Sequence, residues 1–547
     1  MKPFLAATLF AAPLAAQAPP PDSALVLRID SIFAPVNRTT TPGCAVGVDR
    51  AGVPIVRRAY GMANLETGTP WTVGTISESG STAKQFTAAG LVLLARDGVI
   101  SLDDDITRWI PEVRGLGKRI TVRHLLTHTS GLPDRYTLHE AAGRPAGEVD
   151  HDNAEVLDLV AHLRELNFDP GEDYLYSNTG YIVAATVLER ASGKSLQAFT
   201  DARIFRPLGM TSTRWRADHR VVVLGRASAY TLTSTRAWRN DHPFTRVIGS
   251  GGLLITVDDY LKWEAALQTG AEPWGAVRDS LEHMGRLIGG TDLTYGLGVS
   301  ADSWRGVRRV SHSGSTGGYR AVLHRYPEQN VAIAILCNGG SVVPGDLGSR
   351  IAAQVLGTAL AAAEPEPAGV TGNGTNFAAL AGAYHASRTE EILILKLREG
   401  RLVDSLSNNT VLIPVAPDRL QYRGSRRTVT VVSAAAPARL RVEAPNTRAV
   451  EYAAVPRGKP DAATLTAYAG EYRSPEVEAR YRIVATGDTL RLERGWRGPI
   501  VLRSLYQDGF RAGGQGVIRF VRDGRGRVTG FVLWAGRVRH LRFERTK

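Results

Sequence analysis

The sequence predicts an α+β chain: an antiparallel sheet split by a helical insertion, followed by all-β structure. Three observations carry this expectation. Strand-like apolar stretches lie at 44–64 and again at 293–337, with helical periodicity between them. The stretch AAAEPEPAGVTGNGTN, at 361–376, has the composition of a linker. Beyond it helical periodicity gives way to short alternating runs. A length of 547 residues implies two or three domains, and 43% apolar with 22% charged residues excludes global disorder.

Taken in order, MKPFLAATLFAAPLAAQAPPP joins Lys2 to an apolar run and a small-residue cleavage site, Ala16-Gln17-Ala18. This predicts a signal peptide over 1–18 and a secreted or periplasmic chain from Pro19. No later run reaches the roughly 18 apolar residues of a membrane span. A short amphipathic helix is expected at 24–36. The strands CAVGVDR and PIVRRAYGMAN follow, joined at Ala51-Gly52, and then helices over 81–97, 121–127, 154–166 and 179–192, each punctuated by Gly, Pro, Asp or Asn. YGLGVSA, RRVSHSG, YRAVLHRYP and VAIAILCN return to strands, and 346–362 closes the unit as a helix. The expected organisation is therefore a domain over 24–362, a linker over 363–376, and β modules over 377–455 and 464–547. LAGAYHASRTEE at 380–391 echoes YAGEYRSPEVEA at 468–479 with an offset of 88, marking the modules as related and breaking at Pro456-Arg457-Gly458-Lys459-Pro460. One larger barrel built from both halves is the alternative.

The formal charge of +13 is unevenly placed. Residues 371–547 hold 30 Lys/Arg against 16 Asp/Glu, whereas 1–370 hold 36 against 37. The surplus is nearly all Arg at strand-like spacing, which fits a solvated β surface or attraction to an anionic cell-envelope surface. Without a basic helix or interleaved aromatics, no nucleic-acid partner is expected. Cys44 and Cys337 lie in strand-like stretches and read as two buried thiols, with a disulfide permitted if their strands are neighbours.

The densest chemical signal is Ser79-Gly80-Ser81-Thr82-Ala83-Lys84 before an apolar helix. Lys84, three residues after Ser81, shares its helix face. Burial there would disfavour the ammonium and fit Lys84 for proton transfer. Only 8 of the 66 basic residues are Lys, so this one is poor surface filler. Tyr176-Ser177-Asn178 precedes another helix; phenol and carboxamide could face one cavity, or Ser and Asn could simply cap the helix. His312-Ser313-Gly314-Ser315 ends a strand whose glycine permits close approach, and the N–H of Ser315 could pair with that of Ser81 as an oxyanion hole. His124 and His128 read as core or capping residues because HLLTH lacks the glutamate of a zincin. No metal and no cofactor is expected. The absence of G-x-S-x-G and of a phosphate-binding glycine loop counts against an α/β-hydrolase and a nucleotide enzyme.

Ser-x-x-Lys, Tyr-x-Asn and the His-Ser-Gly strand, in this order, resemble the serine β-lactamase and penicillin-binding protein superfamily. The nearer likeness is to its class C β-lactamase, DD-peptidase, D-aminopeptidase and esterase branch, and it runs from about 25 to 362. LVLLARDGVISLDDDI, ITVRHLLTHTSGLPD, IFRPLGMTST and HSGSTGGYRAVLHRYPEQNVAIAILCN also look like this family. The resemblance implies a β-lactamase/transpeptidase-like fold and an acyl-enzyme on Ser81. Lys84 and Tyr176 would move protons, with either as the base, and Asn178, His312, Gly314 and Ser315 would bind substrate or oxyanion. Gly249-Ser250-Gly251-Gly252 resembles a cavity-lining turn. The β modules, read as lipocalin-like, resemble the extra barrels of D-aminopeptidase relatives. His312 replaces the Lys of class C β-lactamases, which shifts the expectation from β-lactams toward D-amino-acid-containing peptides, with small esters second. A catalytically weak penicillin-recognising sensor is the competing class of function.

Overall fold

The computed structural model describes residues 23–363, 367, 376–435, 438–457, 460–495 and 497–546. The expected signal peptide, most of the linker and Gly458-Lys459 lie outside the described residues.

Six strands form one antiparallel sheet in the order Ser300–Trp304, Val307–Thr316, Tyr319–Tyr326, Val331–Cys337, Cys44–Arg50, Val53–Tyr60. The first and last apolar stretches of the domain thus meet at 44–50 and 331–337. Both strands are buried on both faces, which explains their near-continuous apolar character. Val46, Val48, Ile333 and Ile335 pack against the helices Ser23–Phe33 and Pro344–Leu356. Ala45, Ala334 and Leu336, at the alternate positions, face the helical insertion. Cys44 and Cys337 stand directly opposite one another and form a disulfide, so the reading as two buried thiols is corrected. Register decided it: the two Cα atoms are 4.1 Å apart, although the residues are 293 positions apart in the chain.

Within the insertion, the helix Lys84–Arg96 is buried from Lys84 through Leu94, and Asn178–Ser192 packs against it. Gly90 allows their close approach, since a Cβ there would lie 2.5 Å from Leu188 Cδ1. Some expected boundaries change. The strand expected in YGLGVSA starts only at Ser300, and the helix expected over 154–166 ends at Ala161. Helices Arg135–Ala141, Val257–Thr269 and Trp274–Leu281 escaped the periodicity reading. In Val257–Thr269 the buried face includes Glu264, which is paired with Arg325 and so blurs the apolar stripe.

The C-terminal third forms two closed eight-stranded barrels, not one shared barrel. Their first strands, Gly382–Ala386 and Gly470–Ser474, are offset by the 88 residues of the repeat. Tyr384 donates its hydroxyl to the Leu380 carbonyl, and Tyr472 donates likewise to Tyr468. Side chains fill both interiors, for example Leu393, Leu420 and Tyr452 in the first and the stacked Tyr481, Phe543 and Phe531 in the second.

Both barrels grip the segment leading to Tyr176. Asp173, fully buried, is 3.3 Å from Arg388 and accepts the Arg448 N–H from the first barrel. From the second barrel it takes Arg539 at 3.1 Å. Tyr481 donates its hydroxyl to the Ala141 carbonyl at 2.9 Å, adding a further anchor.

Candidate active site

A 3₁₀ turn, Gly80–Ala83, carries Ser81 into the helix that begins at Lys84. The strand Val307–Thr316 lies directly against this turn. Two glycines make that contact possible. A Cβ on Gly314 would fall 1.9 Å from the Ser79 carbonyl oxygen and 3.1 Å from Ser81 N. Gly80 has φ +53°, and a Cβ there would meet Ser315 N at 2.5 Å. The amides of Ser81 and Ser315 are therefore neighbours.

Lys84 Nζ lies 3.1 Å from Ser81 Oγ, 2.9 Å from Asn178 Oδ1 and 2.6 Å from the Ser250 carbonyl. It also stands over the rings of Tyr176 and Tyr181, at 4.9 and 5.4 Å. Complete burial drives its pKa well below the ordinary lysine value; Asp134 pulls it up, while Arg537 and Arg135 push it further down. Burial raises the Tyr176 phenol, opposed by hydrogen bonding with the Ser81 hydroxyl. Ser177 caps the helix by accepting the Gly180 N–H, so the capping reading holds for Ser177 while Asn178 turns to Lys84.

His312 is 8% exposed, and both ring nitrogens are engaged. Nδ1 lies 2.6 Å from the Ser313 carbonyl and Nε2 lies 2.9 Å from Tyr295 Oη. A carbonyl only accepts, which assigns the proton to Nδ1 and leaves Nε2 to accept from the phenol. Burial, reinforced by Lys84, lowers His312 to about 3, so the ring is neutral at physiological pH.

All seven expected site residues are drawn together. Ser81, Tyr176, Asn178, His312, Gly314 and Ser315 line one cavity of about 710 Å³, and Lys84 sits behind Ser81. Of the paired histidines, His124 closes a capping box with Thr121, and His128 is buried against Tyr176 with Nδ1 accepting the Ser177 N–H. Among the described residues no cluster of His, Cys, Asp or Glu has the arrangement of a metal site.

The sequence reading missed Asp134, Tyr295 and Arg537. Asp134 accepts both the backbone N–H and Nδ2 of Asn178, at 2.8 and 2.9 Å, and caps the helix Arg135–Ala141. Asp at the start of DRYTLHEA was a legible capping signal, though its link to Asn178 was not. Arg537 comes from the second barrel, with its guanidinium 4.8 Å from the Tyr176 ring centroid and 3.8 Å from Asp134. Nothing local in GRVRHL marks it.

A beta-lactamase family model matches residues 29–356. "Penicillin-binding protein 4*" of Bacillus subtilis (strain 168) is 30% identical over 305 residues, 52% of this chain and 65% of that protein. A D-aminopeptidase of Brucella anthropi is 25% identical over 525 residues, 92% of this chain and 95% of the relative. The octameric penicillin-binding protein homologue from Pyrococcus abyssi shares the fold, with a TM-score of 0.55 at 22% identity over 78% of this chain and 99% of that one. The chain belongs to the beta-lactamase family and is a hydrolase of that fold.

Proposed function

We propose that this chain is a secreted serine hydrolase that cleaves an amide or ester bond through an acyl-enzyme on Ser81. The hydrogen-bond pattern around Lys84 carries the reading. Asn178 Oδ1 and the Ser250 carbonyl can only accept; the Asn178 orientation is fixed because its Nδ2 donates to Asp134. A neutral amine has two N–H bonds and one lone pair. Burial disfavours the ammonium, and in the neutral amine, with both N–H bonds given to those acceptors, the lone pair is left for the Ser81 hydroxyl 3.1 Å away, the geometry of a general base.

Ser81 Oγ then attacks the substrate carbonyl as its proton passes to Lys84 Nζ, and the Ser81 and Ser315 amides hold the oxyanion. The proton reaches the leaving group through Tyr176, whose raised pKa favours the phenol as a donor over a standing phenolate. Water, activated by the same groups in reverse, releases the acid.

A D-amino-acid-containing peptide, of the DD-carboxypeptidase or D-aminopeptidase type, is the first substrate class. The alignment with a D-aminopeptidase over 92% of the chain supports it, and the neutral His312, a weak anchor for any substrate carboxylate, counts against β-lactams and, within this class, favours the D-aminopeptidase type. A fluorophosphonate or penicillin probe is expected to add one adduct at Ser81 by intact mass, absent in Ser81→Ala. A D-Ala peptide is expected to turn over faster than nitrocefin or p-nitrophenyl acetate. No adduct overturns the mechanism, and an acylation burst without turnover favours the sensor reading.

A second reading concerns the basic surplus. Lys396, Arg398, Arg457, Arg503 and Arg511 line a cleft of about 620 Å³ between the barrels, and no carboxylate lines it among the described residues. This concentration of cations favours docking on an anionic envelope surface.

A further inference from the structure

The second barrel reaches the proposed proton-transfer site through a single turn. Between the strands Val528–Trp534 and Leu541–Arg545, Gly536 adopts φ +63° and lets the chain reverse tightly. The turn is clamped by its backbone. The Arg537 carbonyl accepts the Asp134 N–H at 3.2 Å and Asn167 Nδ2 at 3.0 Å, and the Arg539 N–H donates to Asn167 Oδ1 at 2.8 Å. The Arg537 side chain is not needed for this attachment. It lies across the Tyr176 ring, half exposed to the cavity, with its guanidinium 3.8 Å from the buried Asp134 carboxylate.

Asp134 begins a short chain of contacts. Its carboxylate holds Asn178 Nδ2, and Asn178 Oδ1 holds Lys84 Nζ. An uncompensated carboxylate at that end would draw a proton onto Lys84 and remove the base. We propose that Arg537 is a positioning residue of the catalytic unit, supplied by the second barrel, which offsets the Asp134 charge so that Lys84 remains a neutral amine facing Ser81. The proposal rests on the reading of Lys84 as the base.

The other groups around Lys84 do not replace Arg537. Ser81, the Ser250 carbonyl and the rings of Tyr176 and Tyr181 are uncharged neighbours. His128 and His312 are both held neutral, chiefly by burial. Arg135 is the remaining cation; it is buried, with Nε and Nη1 unpartnered and its guanidinium over the Tyr136 ring. It therefore contributes a fixed positive field and makes no ion pair with Asp134 among the described contacts.

The test is the pH dependence of Ser81 labelling by an uncharged fluorophosphonate, which needs no substrate carboxylate. Removing the guanidinium charge leaves the Asp134 attraction less opposed, so the Lys84 pKa rises and its neutral fraction falls at acid pH. For Arg537→Gln, the acid limb of labelling is expected to move up by about 0.5–1 pH unit, a roughly 3–10-fold loss below it. Arg537→Lys should follow the wild type, and Arg537→Gln combined with Asp134→Asn should move back toward it. An unmoved limb in Arg537→Gln, or an equal shift in Arg537→Lys, overturns the inference. So does a higher KM confined to carboxylate-bearing substrates with the limb in place, which would make Arg537 a substrate anchor. Wild-type protein that takes no label at any pH sinks the Ser81 mechanism itself, and the two failures are thereby distinct.

Discussion

His139, His312 and His324 are each buried, and for each burial is the main cause that lowers the pKa to about 3. The unfolded chain takes up these protons near pH 6.5, while the folded chain resists until about 3. Their stabilising contribution is therefore complete above about 6.5 and is lost as pH falls, by at most ~1.4 kcal/mol per pH unit for each ring. Melting temperature is expected to drop from pH 7 to pH 5, before most carboxylates titrate. His324→Gln, remote from Ser81, should flatten this slope; a melting temperature constant over that range would refute the assignment. At the same scale His312 shows why a residue's identity does not give its charge. The sequence allowed a near-neutral imidazole, but Tyr295 and the Ser313 carbonyl occupy both nitrogens.

Among the elements, the contact between the strand Val307–Thr316 and the Gly80–Ala83 turn is the most exacting. It requires two backbones to meet with no side chain between them, and Gly314 is the point of closest approach. Gly314→Ala forces the strand away from the turn and separates the Ser81 and Ser315 amides. Hydrolysis is expected to fall by ~10²–10³-fold, the scale of losing an oxyanion donor. Steady-state kinetics on a p-nitrophenyl ester, beside circular dichroism showing an intact fold, checks this. Activity within threefold of wild type would remove the amide pair from the mechanism. The strands and helices bearing this site were legible because their periodicity is strong: 44–50 and 178–192 were anticipated almost to the residue. Val257–Thr269 was not, because an ion pair, Glu264 with Arg325, sits on its buried face.

At the scale of the molecule, the barrels are neither independent nor merely basic. Asp173 joins both of them to the segment bearing Tyr176, and the second barrel's apolar core is continuous with the helical insertion. Many of their arginines are paired, as in Arg519 with Glu390 and Arg522 with Asp508. The cleft between the barrels is different, lined among the described residues by five cations and no carboxylate. At ~1 kcal/mol per cation near an anionic membrane, Arg503→Glu with Arg511→Glu should weaken binding to phosphatidylglycerol vesicles by about tenfold or more. Arg473→Glu with Arg480→Glu changes net charge equally outside the cleft, at exposed positions. Equal losses from both pairs in a sedimentation assay would reduce the effect to net charge alone.

Periodicity and motif spacing were sufficient, from the sequence alone, for the α+β class, the repeat of 88 residues behind the two barrels, and the family motifs around Ser81, Tyr176 and His312. These are local properties, written in neighbouring residues. Register, closure and docking are long-range, and only the tertiary structure decided them. Strand register paired Cys44 with Cys337, closure made two barrels from a tail that also allowed one, and docking laid Arg537 across Tyr176. In each case the deciding contact joins residues far apart in the chain, whose meeting depends on how whole elements pack.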